Sequence, residues 1–155
     1  MIFVSLGTQD KPFKRLIDYC EKLDTDEKIV VQNGLTDYKS DKLILKRFLS
    51  PEELDKAIDD ASVVITHGGV GTIINCLNKG KKIIACPRLS KFHEHHNDHQ
   101  CEIIDEFEKD GYLIALREGD DINEIIKKAR NFSPKKYTSN TSNFIKKLDE
   151  YLENI

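Results

Sequence analysis

Val63-Val64-Ile65-Thr66-His67-Gly68-Gly69-Val70-Gly71-Thr72-Ile73-Ile74-Asn75-Cys76-Leu77-Asn78-Lys79-Gly80 is the stretch that decides the fold. An apolar run stops at Thr66-His67, three glycines follow within four residues, and apolar side chains then return at helical spacing through Ile73, Ile74 and Leu77. The pattern reads as a buried strand, a tight turn and the start of a helix. A helix start carries unpaired backbone N–H groups and a positive partial charge, and glycines let a ligand come close to the backbone. Phosphate suits such a place, although a glycine turn of purely structural purpose has the same letters.

The same alternation extends in both directions. Ile2 to Leu6 reads as a first strand, and Gly7-Thr8-Gln9-Asp10 as its turn. A helix follows from Pro12 through Phe13, Leu16, Ile17 and Cys20, then strands over Lys28 to Gln32 and Leu43 to Phe48. Ser50-Pro51-Glu52-Glu53 has the cap, the proline and the acidic first turn of a helix that continues through Leu54, Ala57 and Ile58. Beyond the deciding stretch come a strand over Lys82 to Cys86, a loop from Leu89 to His93 and a long helix through Ile103, Ile104 and Phe107. A strand over Tyr112 to Leu116 and a helix over Asp121 to Arg130 complete the pattern.

Strand and helix in strict alternation imply crossover connections. The expected fold is therefore α/β, a Rossmann-like, doubly wound, mostly parallel sheet. Residues 1–132 are expected to form the ligand-binding domain. Residues 133–155 are expected to be a polar linker and a C-terminal amphipathic helix, whose stripe Phe144, Ile145, Leu148, Tyr151, Leu152 and Ile155 docks on the domain or on a partner.

A net charge of −3 gives no basic footprint, which argues against nucleic acid. Cys20, Cys76, Cys86 and Cys101 form no CxxC pair and are expected to be free thiols in a reducing cytoplasm. The apolar start at Met1 to Val4 ends too soon for a secretion signal or a membrane span.

In a doubly wound sheet, ligands bind beyond the carboxyl ends of the strands. That rule gathers Gly7-Thr8-Gln9, His67 to Thr72 and Pro87 to Gln100 on one rim. The glycines do not complete a dinucleotide fingerprint, because Gly69-Val70-Gly71-Thr72-Ile73-Ile74 lacks the third glycine, and no P-loop motif is present. His93-Glu94-His95-His96-Asn97-Asp98-His99-Gln100 admits three readings. His95 and His99 have the i, i+4 spacing of two metal ligands on a helix, but without the glutamate of HExxH between them. The run also suits a solvated helix start. The favoured reading, with no metal, is hydrogen bonding of a polyhydroxylated ligand by Asp, Asn, Gln and His at a helix N-terminus.

With these residues in hand, the chain resembles the C-terminal, nucleotide-sugar-binding half of a GT-B glycosyltransferase of the family 28 type. The resemblance rests on Phe3-Val4-Ser5-Leu6-Gly7-Thr8-Gln9 with Phe13 and Arg15, on His67-Gly68-Gly69-Val70-Gly71-Thr72, on Lys81, and on Pro87-Arg88 with Glu94-His95-His96-Asn97-Asp98-His99-Gln100. Within that family it is similar to stand-alone subunits that pair with a membrane-associated protein. These include capsule and exopolysaccharide transferase subunits of bacteria and the eukaryotic subunit that extends dolichol-linked N-acetylglucosamine.

The resemblance implies a UDP-sugar donor and no obligatory cofactor. Gly7, Thr8, Gln9, Gly68, Gly69, Val70, Gly71 and Thr72 would hold the diphosphate with His67 nearby, and His67 is also a candidate catalytic group. Arg88 would lie near the uracil, and Glu94, His95, Asn97, Asp98, His99 and Gln100 near the transferred sugar. Asn75 stands where many relatives have a ribose-binding glutamate, so its contact would be a weaker, neutral one. A membrane-associated partner subunit would bring the lipid-linked acceptor and the general base, and would hold this cytoplasmic chain at the membrane periphery. Transfer would invert the anomeric centre. The competing class is a non-catalytic nucleotide-sugar-binding module.

Overall fold

The computed structural model describes residues 1–138; the expected C-terminal helix lies outside them. Six strands form one parallel sheet: β1 (Ile2–Ser5), β2 (Ile29–Gln32), β3 (Ile44–Lys46), β4 (Val63–His67), β5 (Ile83–Cys86) and β6 (Ile114–Ala115). Their order is β3-β2-β1-β4-β5-β6. Helices α1 (Lys14–Glu21), α2 (Pro51–Asp60), α3 (Val70–Asn78), α4 (His99–Lys109) and α5 (Ile122–Arg130) connect or follow them. The doubly wound α/β reading therefore holds.

Strands covered on both faces need apolar side chains at every position, and β1, β2, β4 and β5 are buried throughout. Alternate residues divide between two cores. Ile2, Val4, Val31 and Ile65 meet Leu16, Ile17 and Cys20 of α1 and Ile122 and Ile126 of α5 on one face. Phe3, Val30, Val64 and Ile83 meet Ile58 of α2, Ile73 and Leu77 of α3, and Ile103 and Phe107 of α4 on the other.

Three expected boundaries change. The third strand shortens to Ile44–Lys46, because its only neighbour is β2, whose register reaches Lys46 at Gln32. The sixth shortens to Ile114–Ala115, although the Leu116 N–H still bonds the Ala85 carbonyl at 2.8 Å. Helix α4 begins at His99; Ser90–Phe92 is a 3-10 turn and the residues between are irregular. His95 therefore precedes the helix, and the i, i+4 metal geometry with His99 does not exist. The backbone turns sharply at His93, whose φ of 58° makes it the one left-handed non-glycine among the described residues.

The chain winds outward from β1 to β3, returns to β4 and winds outward the other way. The switch point thus lies between β1 and β4. At such a point the two following loops diverge and leave a crevice above the sheet.

Candidate functional site

The loops after β1 and β4 meet through one side chain. His67 ends β4 and is 7% exposed. A methyl group added to Gly7 would lie 2.5 Å from its Nε2, and one added to Gly69 would lie 2.1 Å from its Cε1. Both glycines therefore make room for the imidazole. At Gly7 the backbone also demands glycine, with φ at 78°. Gly68 is equally close-packed, with a methyl group there meeting Cβ of Gln100 at 2.7 Å. Gly71 alone of this group faces open space, with nothing within 4 Å of an added methyl.

The α3 start is left open by the chain itself. Helix α2 is closed by a full capping box between Ser50 and Glu53, and α5 by Asp121. Helix α3 begins at Gly69 with no side-chain cap and no acidic residue in its first turn. The first-turn N–H groups of Val70, Gly71 and Thr72 thus have no side-chain partner, and the positive end of the helix faces the crevice. Thr8 is exposed and Gln9 half-buried beside it.

Beneath the rim lies a charged frame. Arg88 is 1% exposed and donates from Nη1 to the carbonyls of Lys11 (2.8 Å) and Glu94 (3.0 Å) and from Nη2 to that of Leu6 (2.5 Å). Glu94, also buried, accepts from Nε and Nη2 of Arg15 at 3.1 and 2.9 Å and from the Leu89 N–H at 3.0 Å. The Phe13 ring lies between the two guanidinium groups, 4.8 Å from Arg88 and 5.4 Å from Arg15. Burial pushes Arg88 down to about 10, which leaves it charged at neutral pH. Arg15 pairs with the Glu94 carboxylate, whereas Arg88 donates only to backbone carbonyls, so a buried guanidinium charge sits under the glycine loops. Gln32 Oε1, Asn33 Oδ1 and Thr66 Oγ1, at the carboxyl ends of β2 and β4, are buried without hydrogen-bond partners among the described residues. Such orphans are characteristic of sites that take a ligand or water.

The expected site residues thus divide. Gly7, His67, Gly68, Gly69 and Gln100 are in mutual contact, with Thr8, Gln9, Val70, Gly71 and Thr72 around them. Arg88 and Glu94 have their polar groups largely committed to the protein, so they are placed as frame under the crevice. Asp98 accepts from the Ser90 N–H at 2.8 Å, and Asn97 bridges the His99 N–H (3.1 Å) and His95 Nδ1 (3.3 Å). Asn75 donates to Asp55 on α2 at 3.2 Å. Arg15 is the frame residue that the site reading passed over. Its partner is 79 positions away, and no local pattern signals such a pair.

His67 is held neutral: burial, then Arg88 and His95, push it down to about 3. Among the described residues no group of three or more His, Cys, Asp or Glu is placed to hold a metal ion, and no helix is long and apolar enough to cross a membrane. Cys20, Cys76 and Cys86 are buried and Cys101 half-buried, all as free thiols.

The glycosyltransferase family 28 C-terminal domain matches this sequence over residues 1–155. The UDP-N-acetylglucosamine transferase subunit ALG13 of Candida albicans is 28% identical over 81 residues, 52% of this chain and 26% of that protein. The chain spans about a quarter of the length of the curated relatives it matches. Among solved structures, the glycosyltransferase of kitacinnamycin superposes with a TM-score of 0.60 at 15% identity, covering 98% of this chain and 38% of that one. The solution structure of ALG13 gives 0.57 at 19% identity, covering 95% and 94%. The fold is thus that of a GT-B C-terminal-type domain.

Proposed function

The chain belongs to the glycosyltransferase family 28 C-terminal domain family, and from that premise we propose that it is the donor-binding subunit of a two-component, inverting glycosyltransferase. The donor is a UDP-sugar, and the acceptor is lipid-linked and presented by a membrane-associated partner that keeps this chain at the cytoplasmic membrane face. The observation that carries the reading is the uncapped α3 start at the β1/β4 switch point, with His67 beside it and the buried Arg88 guanidinium beneath.

In this reading the diphosphate lies against the N–H groups of Val70, Gly71 and Thr72. Gly71 is open so that a phosphate can approach, and Gly7-Thr8-Gln9 closes the other side. An acceptor hydroxyl attacks the anomeric carbon from the face opposite the leaving group and gives its proton to a base on the partner; the carbon–oxygen bond to UDP breaks as the new bond forms. The α3 dipole and backbone donors stabilise the charge that develops on departing UDP, and Arg88 and Arg15 reinforce that field from below. The rest of the rate gain is positioning. Asp98, His99, Asn97 and His95 border the sugar, and Gln100 supports the loop from beneath. A second component is supported by the relative named as a transferase subunit.

The test is calorimetric titration of UDP into the wild-type chain and Gly71→Asp. The substitution places a carboxylate in the open space above the α3 start. Saturable binding that this variant abolishes, with the unfolding midpoint kept, is the expected result; no binding to the wild type, or unchanged binding to the variant, overturns the reading.

A further inference from the structure

Gln100, the second residue of α4, is 5% exposed. Its Oε1 accepts from two backbone N–H groups, those of Gly68 and Arg88, each at 3.0 Å. An amide oxygen has two lone pairs, and both are used. These two donors also settle which end of the amide is oxygen, because a flipped amide would turn its NH₂ against two N–H groups. The nitrogen end therefore lies toward His67, with Nε2 3.4 Å from the ring Nδ1. An amide NH₂ has no lone pair to accept with, so it donates and Nδ1 accepts. In a neutral imidazole whose Nδ1 accepts, the one ring proton is on Nε2.

Nε2 is the atom wedged between Gly7 and Gly69, where the two glycine loops meet, and no hydrogen bond among the described residues reaches it. We propose that Gln100 is a positioning residue that fixes His67 as the Nε2–H tautomer, so that His67 presents a neutral N–H donor to the anionic group held between the two loops. The ligand half of this rests on the reading of that crevice as a diphosphate site. His67 is then a donor to the leaving group and is not the base that deprotonates the acceptor, because the ring nitrogen facing the crevice already bears the proton. Five residues from four stretches of the chain form the device: the Arg88 and Gly68 N–H groups orient Gln100, Gln100 orients His67, and His67 faces Gly7.

The experiment combines a two-bond ¹H–¹⁵N spectrum of histidine-labelled protein without ligand and UDP titration of the same samples, with His67 assigned by its loss in His67→Asn. Gln100→Glu is the informative variant. It keeps an oxygen for the Gly68 and Arg88 N–H groups but sets a second oxygen against Nδ1, which draws a proton there. The expected results are Nε2–H alone in the wild type at pH 7, Nδ1–H alone in Gln100→Glu, and UDP affinity about tenfold weaker in the variant, or about 1.4 kcal/mol. A merely structural role would leave the ring's proton where it was. A wild-type ring protonated at Nδ1 overturns the proposal without reference to any variant, as does a Gln100→Glu ring still protonated on Nε2 alone. In Gln100→Glu, a ring protonated on Nδ1 alone with unchanged UDP affinity overturns the donor role, as does a doubly protonated ring with affinity about tenfold weaker, since that ring keeps its Nε2–H. Absence of UDP binding by the wild type sinks the donor-site reading instead, and leaves the tautomer to the spectrum.

Discussion

Gly69 and Gly71 stand two positions apart and have opposite reasons to be glycine. A methyl group at Gly69 would sit 2.1 Å from the His67 ring, whereas one at Gly71 meets nothing within 4 Å. Gly69→Ala is therefore expected to destabilise by about 1–3 kcal/mol through overpacking. Gly71→Ala is expected to be neutral or to gain up to about 1 kcal/mol from helix propensity. Urea unfolding of the pair checks both. The His67 ring supplies a further test. Its pKa falls from 6.5 to about 3 on folding, so the unfolded chain binds a proton that the folded chain refuses. The stabilisation is complete above pH 6.5 and is lost as pH falls toward 3, at up to about 1.4 kcal/mol per unit. Unfolding at pH 7.5, 6 and 5 should show that slope, and His67→Asn should flatten it. The glycines and His67 were legible in the sequence as a cluster. Their division of labour was not, because a letter does not say whether the space beside a glycine is filled by the protein or left for a ligand.

Among the elements, helices with explicit caps were read from sequence most faithfully. The Ser50-Pro51-Glu52-Glu53 signature became the α2 capping box, with Glu53 N–H to Ser50 Oγ at 3.1 Å and Ser50 N–H to Glu53 Oε2 at 2.9 Å. Ser50→Ala is expected to cost about 1 kcal/mol, read from the urea midpoint. The edge strands were read too long, since an apolar run shows propensity but not whether a neighbour exists to pair with it. The α4 start was placed too early because the segment Glu94 to Asp98 is polar and carries no period. Its shape is set by distant partners, Arg15 for Glu94 and the Ser90 N–H for Asp98.

At the scale of the whole molecule, alternation of strand and helix disclosed the parallel sheet. The central place of β1 came only with the structure, and that place creates the crevice. The proposed donor-binding role carries a further expectation. The purified chain should bind UDP yet transfer no sugar to a lipid-linked acceptor until an acceptor-binding component is added, as measured by incorporation of labelled sugar. Robust transfer by the chain alone would sink the two-component proposal.

The strand order also governs how the site comes into being. β1 pairs with β2 and with β4, and β4 begins at Val63. The cradle joins Gly7, His67 and Gln100, so its contacts span 60 and 33 positions of chain. Contacts of that span incur loop-closure entropy before they return any stabilisation, which slows folding. No contiguous fragment that stops short of α4 contains the whole cradle. During synthesis the cradle is therefore completed late, when α4 docks against β6 and Gln100 reaches Gly68 and His67.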